Sequence, residues 1–287
     1  MERRSTAAGP ARGLFGRFAV LKRHFLAGAL LCCVGAPRAA PLPAFDCGDI
    51  AVAFYEHGAL YYRDGNGQWA GIDKDVVDEL GRRLGCRFHA SVDSRVRIWT
   101  NLKGGTLPMS VSGIATPERL QFARFLPYFT TRNYVLLQKN SNAAVHDLAS
   151  FLAEPGYKVA VIKSFKHGPT YDAWLAQLRK EGRVHETADY GSLIRLFKLG
   201  RVQAVLALNT SWAPLVRQRD LADGVKILDW APKDVIVGGL VLSRQLIPET
   251  TAEQFAQAIH AMREDGTLRA IFSRHVGAEL AAGMFNF

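Results

Sequence analysis

Residues 109–129 read MSVSGIATPERLQFARFLPYF. A small polar turn, Ser110-Val-Ser-Gly113, runs into Thr116-Pro117-Glu118-Arg119. A Thr hydroxyl accepts from the orphan N–H groups at a helix start, and Pro suits the first helical position. The pattern therefore predicts a helix from about Pro117, its positive dipole end facing the loop before it. With Arg119 in the first turn, that arrangement is suited to a small carboxylate. An ordinary capped helix with a solvated arginine would carry the same letters.

Outward from this stretch, apolar strand-like runs alternate with helical ones. Ile50–Phe54 reads as a strand, and Asp64-Gly-Asn-Gly67 within Tyr61–Trp69 as a hairpin turn. Val76, Val77, Leu80 and Leu84 fall at helical spacing before Gly85. A helix over Arg97–Lys103, strands over Leu107–Val111 and Tyr134–Gln138, and a polar stretch at 139–144 complete a first unit. A second follows: helices at Val145–Leu152, Tyr171–Lys180 and Ser192–Leu199, strands at Lys158–Ile162, Val184–Thr187, Val202–Leu208 and Ile236–Leu242, then helices over Thr250–Arg263 and Thr267–His275. Such alternation predicts two α/β lobes.

This order of motifs resembles the family 3 periplasmic solute-binding proteins of ABC importers, the polar amino-acid binding proteins. The resemblance rests on Ser112–Ile114, Thr116…Arg119 and Phe125-Leu-Pro-Tyr128. It extends to Gly71-Ile-Asp-Lys-Asp75, Leu199-Gly-Arg-Val-Gln-Ala204, Glu264-Asp-Gly-Thr267 and Ile271-Phe272. It implies a two-lobed periplasmic binding protein fold of type II, each lobe a mostly parallel sheet flanked by helices, with two crossing hinge strands at Val135–Lys139 and Val235–Leu240. The lobes would be 45–136 plus 239–287 and 139–236. The implied function is an exported receptor that captures a small carboxylate-bearing solute, an amino acid or related organic acid, and delivers it to an ABC permease in the inner membrane.

The candidate ligand-binding residues follow from that mapping. Arg119, Ser112, Gly113 and Ile114 would hold the carboxylate, although Ile114 stands where the family usually has a hydroxyl. Tyr55 and Glu56 follow the first strand, with His57, Tyr61 and Tyr62 beside them, where the family places an aromatic lid. Trp99 lines the cleft or packs its helix on the sheet. In the second lobe Ser164 and Gly168 lie in Lys163-Ser-Phe-Lys-His-Gly168, where Gly168-Pro169 permits a helix start with free N–H groups. Asn209 follows Leu208, which stands where the family's ammonium-binding Asp is expected. A buried ammonium without a carboxylate is costly. Either Glu56 supplies that charge, or the solute is amine-free and rich in carboxylates, as Lys163, Lys166 and His167 suggest.

The 287-residue chain is 48% hydrophobic and 22% charged, as a globular protein with a real core would be. Its net charge of +10 is concentrated at the start: residues 1–40 hold seven basic residues and one acid, leaving +4 for the remainder. That is too mild for a nucleic-acid partner. Lys22-Arg23-His24, the apolar run 25–36 and the Pro/Ala-rich stretch to Ala44 read as a cleaved export signal over 1–44. An uncleaved anchor is the alternative, although about 12 apolar residues fall short of the roughly 20 that span a bilayer.

Cys32 and Cys33 fall in that signal. Cys47 and Cys86 each precede a strand that a βαβ unit makes parallel neighbours. In an oxidising compartment they would form a disulfide, the alternative being two free thiols. Neither a cofactor nor a metal is expected, and the protein is read as a monomer. No His-Glu-x-x-His, Gly-x-Ser-x-Gly, Ser-x-x-Lys or phosphate-binding loop is present. The remaining alternatives come from the resemblance itself. One is a periplasmic cyclohexadienyl dehydratase-like enzyme using Glu56 or Asp73 as general acid; the other is a binding module feeding a membrane sensor.

Overall fold

The alternating pattern sorts into two five-stranded sheets in the computed structural model, which describes residues 47–217 and 224–286. The export signal expected over 1–44 lies outside them. In chain order the elements are β1 (Asp49–Phe54), β2 (Tyr62–Arg63), β3 (Trp69–Ala70), α1 (Ile72–Leu84), β4 (Arg87–Val92), α2 (Arg95–Lys103), β5 (Met109–Gly113), β6 (Ala123–Thr131) and β7 (Asn133–Gln138). Then come α3 (Leu148–Leu152), β8 (Val159–Ile162), α4 (Pro169–Lys180), β9 (Val184–Thr187), α5 (Tyr190–Lys198), β10 (Ala204–Leu208) and α6 (Asn209–Arg217). Last are β11 (Val225–Leu228), β12 (Ile236–Ser243), α7 (Glu249–Glu264), α8 (Thr267–Val276) and α9 (Ala278–Ala282).

The first sheet has the order β4-β1-β5-β12-β6 and the second β11-β7-β10-β8-β9. In each, one strand opposes the rest. β12 pairs antiparallel with both β5 and β6, and β7 with both β10 and β11. β7 lies wholly in the second sheet and β12 wholly in the first, so the chain changes sheets at Arg132 and again over 229–235. Residues that follow the carboxyl ends of the parallel strands of both sheets touch across the lobes, Arg119 to Ser164 and His57 to Ser211, at the usual place for a ligand in open α/β sheets. Apolar burial follows the periodicity. Val76, Val77 and Leu80 of α1 and Leu193, Ile194 and Phe197 of α5 are buried against their sheets.

The segment after Thr116 departs from the sequence expectation. Thr116 does cap, its Oγ1 accepting from Arg119 N at 3.2 Å, yet only a three-residue 3₁₀ turn, Arg119–Gln121, follows. From Ala123 the chain extends as β6 and pairs along the whole of β12. Ladder pairing therefore takes the residues that would have propagated a helix, and no helix dipole stands behind Arg119. Cys47 and Cys86 are bonded, with Cα atoms 5.3 Å apart, at the starts of the parallel neighbours β1 and β4. No helix among the described residues is long and apolar enough to cross a membrane.

Candidate functional site: two buried arginines between the lobes

Arg119 is 7% exposed. Its Nη1 donates to the Ile114 carbonyl at 2.9 Å and its Nη2 crosses the cleft to the Ser164 carbonyl of the second lobe at 3.0 Å. The guanidinium carbon lies over Trp99, 3.7 Å from the ring centre, a cation–π contact. Burial first, and the nearby Arg95 charge second, lower its pKa to about 9. Ser112 and Ser164 are the non-glycine residues with positive φ among the described residues, at 47° and 64°. Both sit at this cleft, one from each lobe, as strained residues often do at binding sites.

The turn of the first lobe is held from behind. The Ser112 Oγ donates to Asp73 Oδ1 at 2.8 Å, and the Ser112 N–H donates to the Tyr128 hydroxyl at 3.0 Å. Tyr128 in turn donates to Asp73 Oδ1 at 2.5 Å. Ser112 and Tyr128 thus spend their hydroxyls on a buried carboxyl rather than presenting them to a ligand. Burial pushes Asp73 up to about 7, against the donation from Tyr128 and Ser112 that holds it down. Gly113 is required by packing, because a Cβ there would sit 2.0 Å from Val241 Cγ2.

Lobe closure runs through residues 55–61. The Ala59 N–H donates to the Thr210 carbonyl at 2.8 Å, and His57 Nε2 meets Ser211 Oγ at 2.9 Å. Gly58, at φ 53°, lets the chain approach so closely that a Cβ would lie 2.5 Å from the Ser211 Cα. The His57 ring packs on Phe165 and edge-on to Tyr190, both of the second lobe, at 5.4 and 5.2 Å. Tyr55 is buried and donates to the Ser112 carbonyl at 3.3 Å. Glu56, between two buried neighbours, is exposed and is not brought to the cluster.

The second lobe corrects two expectations. Gly168 does precede a helix, but the N-terminus of α4 is already occupied: Thr170 N donates to Asp234 Oδ2 at 2.8 Å, and His167 N to Asp172 Oδ1 at 3.1 Å. Chain carboxylates fill the place expected for a ligand. Lys163 and Lys166 point to solvent and His167 is buried, so that loop does not supply the positive charge. Asn209 is at the sheet-changing connection, where Thr131 Oγ1 donates to its Oδ1 at 2.6 Å, on the rim of a groove of about 820 Å³ with Tyr134 and Trp212. Leu208 is buried and apolar, so the end of β10 brings no carboxylate.

The residue missed in the sequence is Arg95, in the first turn of α2 and 2% exposed. Its signal was present: Arg95, Ile98, Trp99 and Leu102 share one helical face, which makes Arg95 part of the inward stripe. A basic residue beside Ser94 and Arg97 otherwise reads as a solvated helix start.

Burial holds the His57 and His167 rings down to about 3, helped at His57 by the charge of Arg95 and at His167 by that of Arg179. The unfolded chain binds protons at these rings near pH 6.5 and the folded chain does not, so each ring costs stability as pH falls below that value. Asp73 works the other way, its raised pKa favouring the folded state as pH falls from about 7 toward 4. The net expectation between pH 6.5 and 4.5 is a loss of about 1 kcal/mol per pH unit. Urea unfolding of His57→Gln should show that slope nearly abolished; the wild-type slope in the variant would exclude His57 as its source.

Residues 51–278 match the sequence pattern of the bacterial extracellular solute-binding proteins, family 3. The chain belongs to that family. It is 24% identical over 240 residues to an arginine-binding periplasmic protein of Mannheimia haemolytica, covering 80% of this chain and 92% of the relative. Its fold is similar to an ancestral arginine-binding protein bound to arginine, at 22% identity and a TM-score of 0.69 over 80% of this chain and 99% of the other. It is also similar to the ancestral amino acid-binding protein AncCDT-1, a precursor of cyclohexadienyl dehydratase, at 20% identity and a TM-score of 0.66 over 80% and 96%. The family is one of binding proteins rather than enzymes, and its two-lobed fold is the one described above.

Proposed function

We propose that this protein is an exported, periplasmic, monomeric receptor that closes on a small carboxylate-bearing solute and delivers it to an ABC permease. The observation that carries the reading is Arg119: a buried guanidinium anchored in one lobe and hydrogen-bonded to a backbone carbonyl of the other. A ligand carboxylate offers that fork a full negative charge in place of a carbonyl dipole, and a bidentate guanidinium–carboxylate pair is among the strongest of charge-assisted bonds. Closure and ligand capture then use the same side chain. The chain connections at Arg132 and 229–235 are the hinge, and Ser112–Ile114, Tyr55 and Ser164 shape the pocket around the carboxylate. Glu56, Gly168 and Asn209 lie outside this pocket. Asp73 stands behind Ser112 as a support for the turn, which favours binding over proton transfer to a bound solute.

Thermal-shift measurements with small organic acids, each beside its methyl ester, test the reading, because a ligand stabilises only the state that binds it. At least one acid should raise the melting temperature by several degrees at saturating concentration while its ester does not. Equal shifts from acid and ester would exclude carboxylate capture.

A further inference from the structure

Two guanidinium groups share the cleft, and only one is partnered. Arg95 Nε and Nη2 are buried and donate to nothing among the described residues. Its guanidinium carbon lies 4.1 Å from the Tyr55 ring centre and 5.4 Å from those of Trp99 and Phe165, the last belonging to the second lobe. Ring contacts of this kind do not offset the cost of burying a charge and leaving its donors unmade. Two further donors of the same cluster, Trp99 Nε1 and the Tyr190 hydroxyl, are also buried without an acceptor.

Carboxylates act on the two arginines only at a distance, Glu118 and Asp172 on Arg119 and Asp73 on Arg95, and among the described residues none forms an ion pair with either. Asp73 is the buried carboxyl nearby; its Oδ1 is engaged by Ser112 and Tyr128, its Oδ2 is buried without a partner, and although the Arg95 charge acts on it no ion pair joins the two. Glu56 and Glu118 are exposed, and Leu208 closes the end of β10 with an apolar side chain. The cleft therefore holds two positive heads on one ring, since the guanidinium carbons of Arg119 and Arg95 lie 3.7 and 5.4 Å from the Trp99 ring centre, with unmet donors around them.

From this geometry we infer that Arg95 forms a second anion subsite and that the solute is a small dicarboxylate without an ammonium group, one carboxylate on Arg119 and the other on Arg95. The assignment rests on the carboxylate-receptor reading above and narrows it. Each guanidinium then gains a charged acceptor, and the repulsion between them, which helps to lower the Arg119 pKa, turns into shared attraction for one dianion. A basic amino acid would add a third positive charge to the same space.

Calorimetry with succinate, glutarate and adipate, their monomethyl esters, glutamate and arginine tests the inference. At least one diacid should bind, with its monoester weaker by about 30-fold or more. Arg95→Gln should bring the diacid down toward the level of its monoester, the diacid losing about tenfold or more beyond what the monoester loses, while the unliganded variant melts no lower than wild type. Arg95→Lys, which keeps the charge and loses the fork, should fall between them and guards against a glutamine variant that fails to fold. Diacid binding unaffected by either variant, or tight binding of arginine in preference to every diacid, would overturn the second subsite and leave Arg119 as a carboxylate receptor. Binding of none of these acids would overturn both.

Discussion

Arg119→Ala should abolish useful ligand binding while the protein still folds. The side chain makes two bonds to backbone carbonyls and one cation–π contact, and it is buried between two lobes. In the unliganded protein these bonds from a charged donor are worth about 1.5–3 kcal/mol each, and removing a buried charge recovers desolvation energy of similar size, so the fold survives. In the complex the same side chain faces a carboxylate. Truncating one partner of a buried charge pair costs about 2–5 kcal/mol, roughly 30-fold to several-thousand-fold in affinity. Calorimetry with an acid identified by thermal shift gives the number, and circular dichroism of the variant checks the fold. Affinity within about twofold of wild type would remove Arg119 from the site. Arg119→Lys should recover only part of the loss, because an ammonium neither forks to a carboxylate nor stacks on Trp99 as a guanidinium does.

What could be read from the letters depended on how local the deciding interaction was. The strands β1, β8 and β10 and the helices α1, α4 and α7 are set by periodicity and by stops such as Gly85, and both periodicity and stops are local. The pairing of Cys47 with Cys86 was legible because each precedes a strand of one βαβ unit. Thr116 caps as its sequence implies but starts no α-helix, since pairing with β12, more than a hundred residues later, decides the fate of Ala123–Thr131. The same reason hid the capping of α4 by Asp234, which is 64 residues from Thr170. Glu56 and Asn209 neighbour the buried cluster in sequence, but side-chain direction takes Glu56 to solvent and Asn209 to the connection between sheets. The positive character expected of the cleft was legible; its source was not. The sequence places it at Lys163, Lys166 and His167, where two charges are exposed and the third group is held neutral, whereas Arg95 carries it. Arg95 looks ordinary until Phe165 of the other lobe covers it.

Removing the disulfide should cost close to half the stability of a typical domain and loosen the site at a distance. The bridge closes a segment with a sequence separation of 39, for which chain entropy gives about 4 kcal/mol, against roughly 5–15 kcal/mol for a whole domain. Its position sharpens the effect. β4 is the edge strand of the first sheet, and its burial pattern is almost entirely exposed, so apolar packing does little to hold it. The Arg87–Asp49 ion pair beside the bridge is itself exposed and contributes little. β4 leads through Asp93 and Ser94 directly into α2, the helix that presents Arg95 and Trp99 to the cleft. Cys47→Ser/Cys86→Ser should therefore lower the unfolding free energy by about 3–4 kcal/mol in urea titrations and raise hydrogen exchange in β4 more than in β5. Peptide mapping of the unreduced wild type should recover the two cysteines in one cross-linked pair. Recovery as two free thiols, or a double variant as stable as wild type, would leave β4 anchored by its ladder to β1 alone, and the path from the bridge to Arg95 would have no energetic content.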